Sequence, residues 1–211
     1  MNKYILSIVL FINSIFIVEA QNNIDAERLI DNFINTIKTE AIRTTFNLKI
    51  LGKNDVNSQA VSGTFVLKGN QFYLEMEEVQ VWFDGKTQWA LVNESNEVSI
   101  TEPSEEELAA INPVSIISTY KKESKIQFGK TKNEKNHIIV MTPKSKEATF
   151  TKVEVQLVKA SGNLYVIFME QKNGMNNQLT LHNYQKKVPV SQNTFVFDKT
   201  KFKGVTVNDL R

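Results

Sequence analysis

The sequence predicts a mainly β chain, folded as a strongly curved antiparallel sheet or barrel of about eleven strands, with helices at one end and in the middle. Three observations carry that reading. Segments of strand character recur at spacings of about ten residues with little helix between them. Tight-turn dipeptides punctuate them: Gly69-Asn70, Asp84-Gly85, Gly162-Asn163 and Asn173-Gly174. Helical spacing is confined to the start of the mature chain and to a stretch after Pro103.

Residues 1–20 stand apart. Lys3 supplies a short positive region, Ile5 to Val18 is an apolar run, and Val18-Glu19-Ala20 offers small residues at the positions a signal peptidase reads. We read a cleavable export signal followed by one domain over 21–211. The apolar run is too short for a comfortable transmembrane helix and no second one follows. The sequence contains no cysteine, so an exported domain must fold on core burial alone, and it lacks the acceptor for a bacterial acyl anchor. A net charge of +2, with no concentrated Lys/Arg segment, argues against nucleic acid as a partner.

From Ile24 to Glu40, Leu29, Ile30, Phe33, Ile34 and Ile37 fall on helical spacing, and Asn23 or Asp25 can cap the start. Strand patterns follow at 41–51, 60–68, 71–76, 79–92 (as a hairpin) and 97–101. After Pro103, Ser104 and Glu107 match a capping box, and Pro113 can start a further helix after Asn112, with Val114, Ile116, Ile117 and Tyr120 as its apolar residues. Strands resume at 124–129, 135–141, 149–158, 162–171, 176–184 and 194–197.

The hairpin VQVWFDGKTQWALV (79–92) poses a problem. A two-residue turn at Asp84-Gly85 would pair Phe83 with Lys86 and Trp82 with Thr87, making Trp82 and Trp89 diagonal neighbours on one face with Leu91. Val79, Val81, Phe83, Ala90 and Val92 take the other face. Neither is a clean solvent face, so each needs a cover: the core on one side, and a sheet, helix or apolar ligand on the other.

Residues suited to catalysis do not assemble. His137 and His182 lie far apart and lack the spacing or companions of a metal pair. Ser191, His182 and Asp198 can be drawn as a triad, but no nucleophile elbow surrounds Ser191. Glu105, Glu106 and Glu107 suit a helix start without acid–base work. No phosphate-cradling glycine loop occurs, and no metal or cofactor is expected. The surplus is apolar: Phe65 and Leu67 on one strand face, Phe72, Leu74 and Met76 on the next, Leu164, Val166 and Phe168 on another with Tyr165, Ile167 and Met169 opposite. A closed small barrel fills its lumen with such residues, and a partly open one leaves room for a lipid chain. Periodicity does not separate the two.

Several strings, in order, resemble the LolA-type outer-membrane lipoprotein carrier proteins: FDGKTQW (83–89), NPVSIISTY (112–120), VMTPK (140–144) and GVTVNDLR (204–211), with Phe46 and Gly63 also fitting. The resemblance implies an unclosed, strongly curved antiparallel β-barrel with helices forming a lid over an apolar cavity. It also implies a periplasmic chaperone that shelters the acyl chains of lipoproteins released by an inner-membrane transporter and hands them to an outer-membrane acceptor. By that resemblance Ile50, Phe72 and Leu74 line the cavity on strands, and Val114, Ile116 and Ile117 lie on the lid helix. Phe65, Leu67, Trp89 and Leu91 are expected to contribute, and Phe33 and Ile37 to face the cavity from the first helix. One departure matters: where the family carries Lys-Arg-Pro, whose arginine ties the lid to the barrel, this chain has Lys68-Gly69-Asn70. The expected protein is a monomer and not an enzyme. A lipid-binding or lipoprotein-sensing module on the same scaffold is the alternative, and an envelope esterase a more distant one.

Overall fold

The computed structural model describes residues 23–52 and 59–211; the segment expected to be an export signal, 1–20, lies outside them. Helix α1 occupies 23–39. It buries Ala26, Ile30, Phe33 and Ile37, the stripe set by the helical repeat. Six strands follow: β1 (Ile42–Leu51), β2 (Gln59–Lys68), β3 (Gln71–Met76), β4 (Val79–Phe83), β5 (Gln88–Val92) and β6 (Glu97–Thr101). Then come α2 (Glu105–Ile111) and α3 (Pro113–Glu123). The chain continues through β7 (Ser124–Phe128), β8 (Asn136–Pro143), β9 (Phe150–Val158), β10 (Leu164–Gln171), β11 (Asn176–Lys186) and β12 (Thr206–Asp209).

All twelve strands belong to one sheet in the order β12-β6-β5-β4-β3-β2-β1-β11-β10-β9-β8-β7. Neighbours are antiparallel except for β12, which runs parallel to β6. The sheet is not closed, as β7 and β12 form its two edges. The register slips between Arg43 and Thr45, where the buried Thr44 hydroxyl donates to the His182 carbonyl at 2.7 Å. Such a bulge bends the strand and increases its twist, so the sheet curls around its apolar face.

The sheet has twelve strands, in line with the expected count of about eleven. Three details correct the sequence reading. The segment expected as a strand at 194–197 is instead a 3-10 helix, Gln192–Phe195. The parallel strand β12 lies where no strand was expected, because four residues carry too little alternation to register. In the hairpin, Trp82 stands directly opposite Trp89 and Phe83 opposite Gln88. The Asp84 carboxylate accepts the Lys86 and Thr87 amides at 2.9 and 2.8 Å, which builds a longer loop around Gly85 at φ 105° and moves the register while preserving the faces.

Both hairpin faces are covered by the protein itself. Val81 and Phe83 join the main core with α1, while Trp82, Leu91 and Val98 form a second cluster with Val205. The segment after β11 supplies that second cover: the rings of Phe197 and Phe202 lie 5.3 and 5.7 Å from that of Trp82, and 5.1 Å from each other.

Candidate functional site

A cavity of about 870 Å³ opens on the concave face of the sheet. Alternation along β1 aims Phe46, Leu48 and Ile50 into it, and the adjoining strands add Phe65, Leu74, Met76, Ile167, Met169 and Leu179. Ala109 and Ile111 of α2, with Ile116 and Tyr120 of α3, form the opposing wall. Polar residues gather at its margin, among them Glu77, Glu78, Glu106, Thr149 and Gln171. The lining belongs to the β1–β2, β3–β4 and β10–β11 ends of the strands, which defines the mouth. The other end is filled: the Gly69 amide, in the β2–β3 turn, donates to the Ile37 carbonyl at the end of α1 at 2.8 Å.

Two caps hold the helical wall. Ser104 and Glu107 form the expected capping box, with the Ser104 amide donating to Glu107 Oε2 at 2.7 Å. Those hydrogen bonds hold the exposed Glu107 carboxyl below its ordinary range. Asn112 is buried between α2 and α3, and its Oδ1 accepts the Val114 amide at 2.9 Å. Tyr120 packs edge-on against Phe150, with ring centres 4.7 Å apart, and burial raises its phenol pKa with Glu123 adding to the effect. Lys121 of α3 forms an ion pair with Asp31 of α1. That pair joins the two helical elements.

Of the residues expected at the cavity, Ile50, Phe65, Leu74 and Ile116 line it. Leu67, Phe72, Ile117, Phe33 and Ile37 lie in the main core without reaching the cavity; Leu67 and Phe72 flank the Gly69 turn at the filled end, one rung deeper than Phe65 and Leu74. Val114 packs against the same core, half-buried and outside the lining. Trp89 and Leu91 are on the opposite face of the sheet, within or against the Trp82 cluster. Expecting them at the cavity reads the hairpin's aromatic bulk as ligand contact, when the chain's own C-terminal segment covers it. The sequence reading did not single out Leu48, Ala109, Ile111 or Leu179. Leu48 carried a signal, since it alternates with Phe46 and Ile50.

The polar residues that can be drawn as a triad are engaged locally. The Ser191 amide donates to Thr194 Oγ1 at 3.1 Å, and the Asp198 carboxylate accepts from the Thr200 amide and hydroxyl at 3.0 and 2.6 Å. His182 packs beside Tyr165, with ring centres 6.4 Å apart. Among the described residues no group of three or more His, Cys, Asp or Glu could hold a metal ion.

The family model for the outer membrane lipoprotein carrier protein LolA matches residues 16–162. The chain belongs to the LolA family. Its match runs from α1 to the end of β9 and includes the strands and both helices that form most of the cavity wall. No curated protein sequence matches the chain. Among solved structures, an uncharacterized conserved protein from Thermus thermophilus is similar at a TM-score of 0.58 and 11% identity, covering 88% of this chain and 99% of that one. A LolA superfamily protein from Nitrosomonas europaea is similar at a TM-score of 0.47 and 11% identity, covering 82% and 98%. The Thermus likeness shows a shared fold. Among the described residues no helix of this LolA-family chain is long and apolar enough to cross a membrane.

Proposed function

We propose that the protein is a periplasmic lipoprotein carrier. Exported by the signal at 1–20, it acts as a monomer that takes acylated lipoproteins from a releasing transporter in the inner membrane and delivers them to an outer-membrane acceptor. The observation that carries this reading is the open cavity of about 870 Å³ with a mainly apolar lining. Each methylene moved from water to such a lining gains about 0.8 kcal/mol, so an acyl chain supplies binding energy without a catalytic group. Release then requires that the lid yield, and the α2–α3 wall, joined to α1 through the exposed side of the fold by Lys121 and Asp31, is the element able to do so.

The test is a release assay. Purified mature protein is added to spheroplasts of its source, and soluble complexes are recovered and analysed by mass spectrometry. Triacylated lipoproteins in a stoichiometric complex, reduced by Ile116→Glu in a variant that stays folded, are the expected result. Free lipid without lipoprotein would favour the lipid-binding module, and the absence of any apolar cargo would overturn both readings.

A further inference from the structure

The cavity ends partway along the concave face, where the chain fills the rest of the space with its own helix. Phe65 and Leu74, paired across β2 and β3, are the deepest lining residues of those strands, and the next pair, Leu67 and Phe72, is sealed. Beyond them Ile30, Phe33 and Ile37 of α1 are buried in the same core as Phe72 and Phe83. The rings of Phe65, Phe72 and Phe83 follow one another at 5.6 and 5.4 Å. On the helical wall Tyr120 stands edge-on to the buried Phe150. Interiors packed in this way are as dense as organic crystals, so anything further enters only by prising buried side chains apart.

That boundary gives the cavity a fixed capacity. A methylene takes up about as much space as a water molecule, whose share of the liquid is about 30 Å³. The cavity of about 870 Å³ therefore holds roughly thirty of them. Acyl chains that span half of a bilayer's hydrocarbon core, about 30 Å thick in all, carry about sixteen carbons each. Two such chains match the cavity, and three exceed it. Met76 and Met169, toward the mouth, have flexible side chains that follow cargoes of different shape without adding room.

We propose, resting on the carrier reading, that the cavity seats two full-length acyl chains and that the third chain of a triacylated terminus stays outside it. The limit is on the hydrocarbon held, set by α1 and its packing against β2 and β3, and not on the number of chains. Three short chains enter together, whereas a third long one remains at the mouth. Affinity then rises with each chain until the cavity is full and levels off, because hydrocarbon left in water gains nothing from the lining.

The test uses synthetic cysteine lipopeptides of one peptide sequence carrying two or three palmitoyl chains, or two or three decanoyl chains. Each displaces a fluorescent fatty acid from the mature protein at concentrations below micelle formation, which gives its dissociation constant. Three decanoyl chains together carry about as much hydrocarbon as two palmitoyl chains. The third decanoyl chain is therefore expected to tighten binding by more than about tenfold. The third palmitoyl chain is expected to change it by less than about threefold. If the third chain adds as much in the palmitoyl pair as in the decanoyl pair, or adds nothing in either, the proposed capacity is overturned while the carrier reading stands. If no lipopeptide displaces the probe, the carrier reading falls and takes this inference with it.

Discussion

Gly63 lies directly across the β1–β2 ladder from Phe46, so close that a Cβ at Gly63 would stand 2.8 Å from the Phe46 Cε1 and 2.2 Å from the Glu75 carbonyl oxygen. The backbone contact cannot be relieved by turning a side chain. Because Phe46 forms part of the cavity wall, the missing side chain at Gly63 fixes where that wall stands. Gly63→Ala is expected to destabilise the protein by about 1–3 kcal/mol, as overpacking does. Urea unfolding measures it, and an unchanged midpoint would contradict the close packing.

The aromatic cluster on the outer face predicts a separation of stability from binding. Trp82 is buried against Phe197, Phe202 and Tyr73, and contributes nothing to the cavity lining. Trp82→Ala should cost about 3–5 kcal/mol, the usual range for removing a buried large aromatic. Per folded molecule, its affinity for a triacylated peptide should match that of the wild type. Equilibrium unfolding and calorimetric binding on the same preparation check both halves.

These two sites also show what the sequence could and could not disclose. Gly63 and Phe46 were visible as family positions, and the alternation of Phe65, Leu67, Phe72 and Leu74 marked one sheet face correctly. The depth of each residue along that face was not visible. Phe65 and Leu74 reach the cavity while Leu67 and Phe72 are sealed, a difference set by where α1 ends against the Gly69 turn. The cover over Trp82 was hidden for a similar reason: Phe197 and Phe202 sit in a segment with 3-10 turns and one short strand, whose contacts are long-range and leave no periodic trace. The capping box at Ser104 and Glu107 was legible because its signal is local.

The Lys121–Asp31 pair predicts a kinetic effect larger than its thermodynamic one. Both side chains are partly exposed, at 26% and 49%, so Asp31→Asn should change stability by less than about 1 kcal/mol. If the pair restrains the α3 wall, the variant should exchange bound lipopeptide faster, and raised salt should speed the wild type in the same direction. Stopped-flow dissociation of a fluorescent triacylated peptide measures both. Identical off-rates in the two proteins would remove the pair from any role in opening.

Alkaline pH should titrate two half-buried phenols. Burial, reinforced by the charge of Glu75, raises the Tyr73 pKa from 10.0 to about 12. Burial with Glu40 nearby raises that of Tyr184 as well. A group whose pKa is higher folded than unfolded retains its full contribution below the unfolded value and loses it as pH climbs to the folded one. Stability should therefore hold up to about pH 10 and decline towards pH 12, and Tyr73→Phe should flatten part of the decline. Thermal unfolding followed across that range, with tyrosinate absorbance as the titration readout, checks the sign.

In a lipoprotein carrier of this shape, acyl chains occupy the concave cavity and not the aromatic outer face. The most direct measurement places a photoreactive benzophenone side chain at Leu74, within the cavity wall, or at Trp89, on the opposite face, and irradiates each protein loaded with a triacylated lipoprotein. A crosslink to the acyl moiety is expected from position 74 and none from position 89. A crosslink from position 89 with none from position 74, in proteins that remain folded, would contradict it.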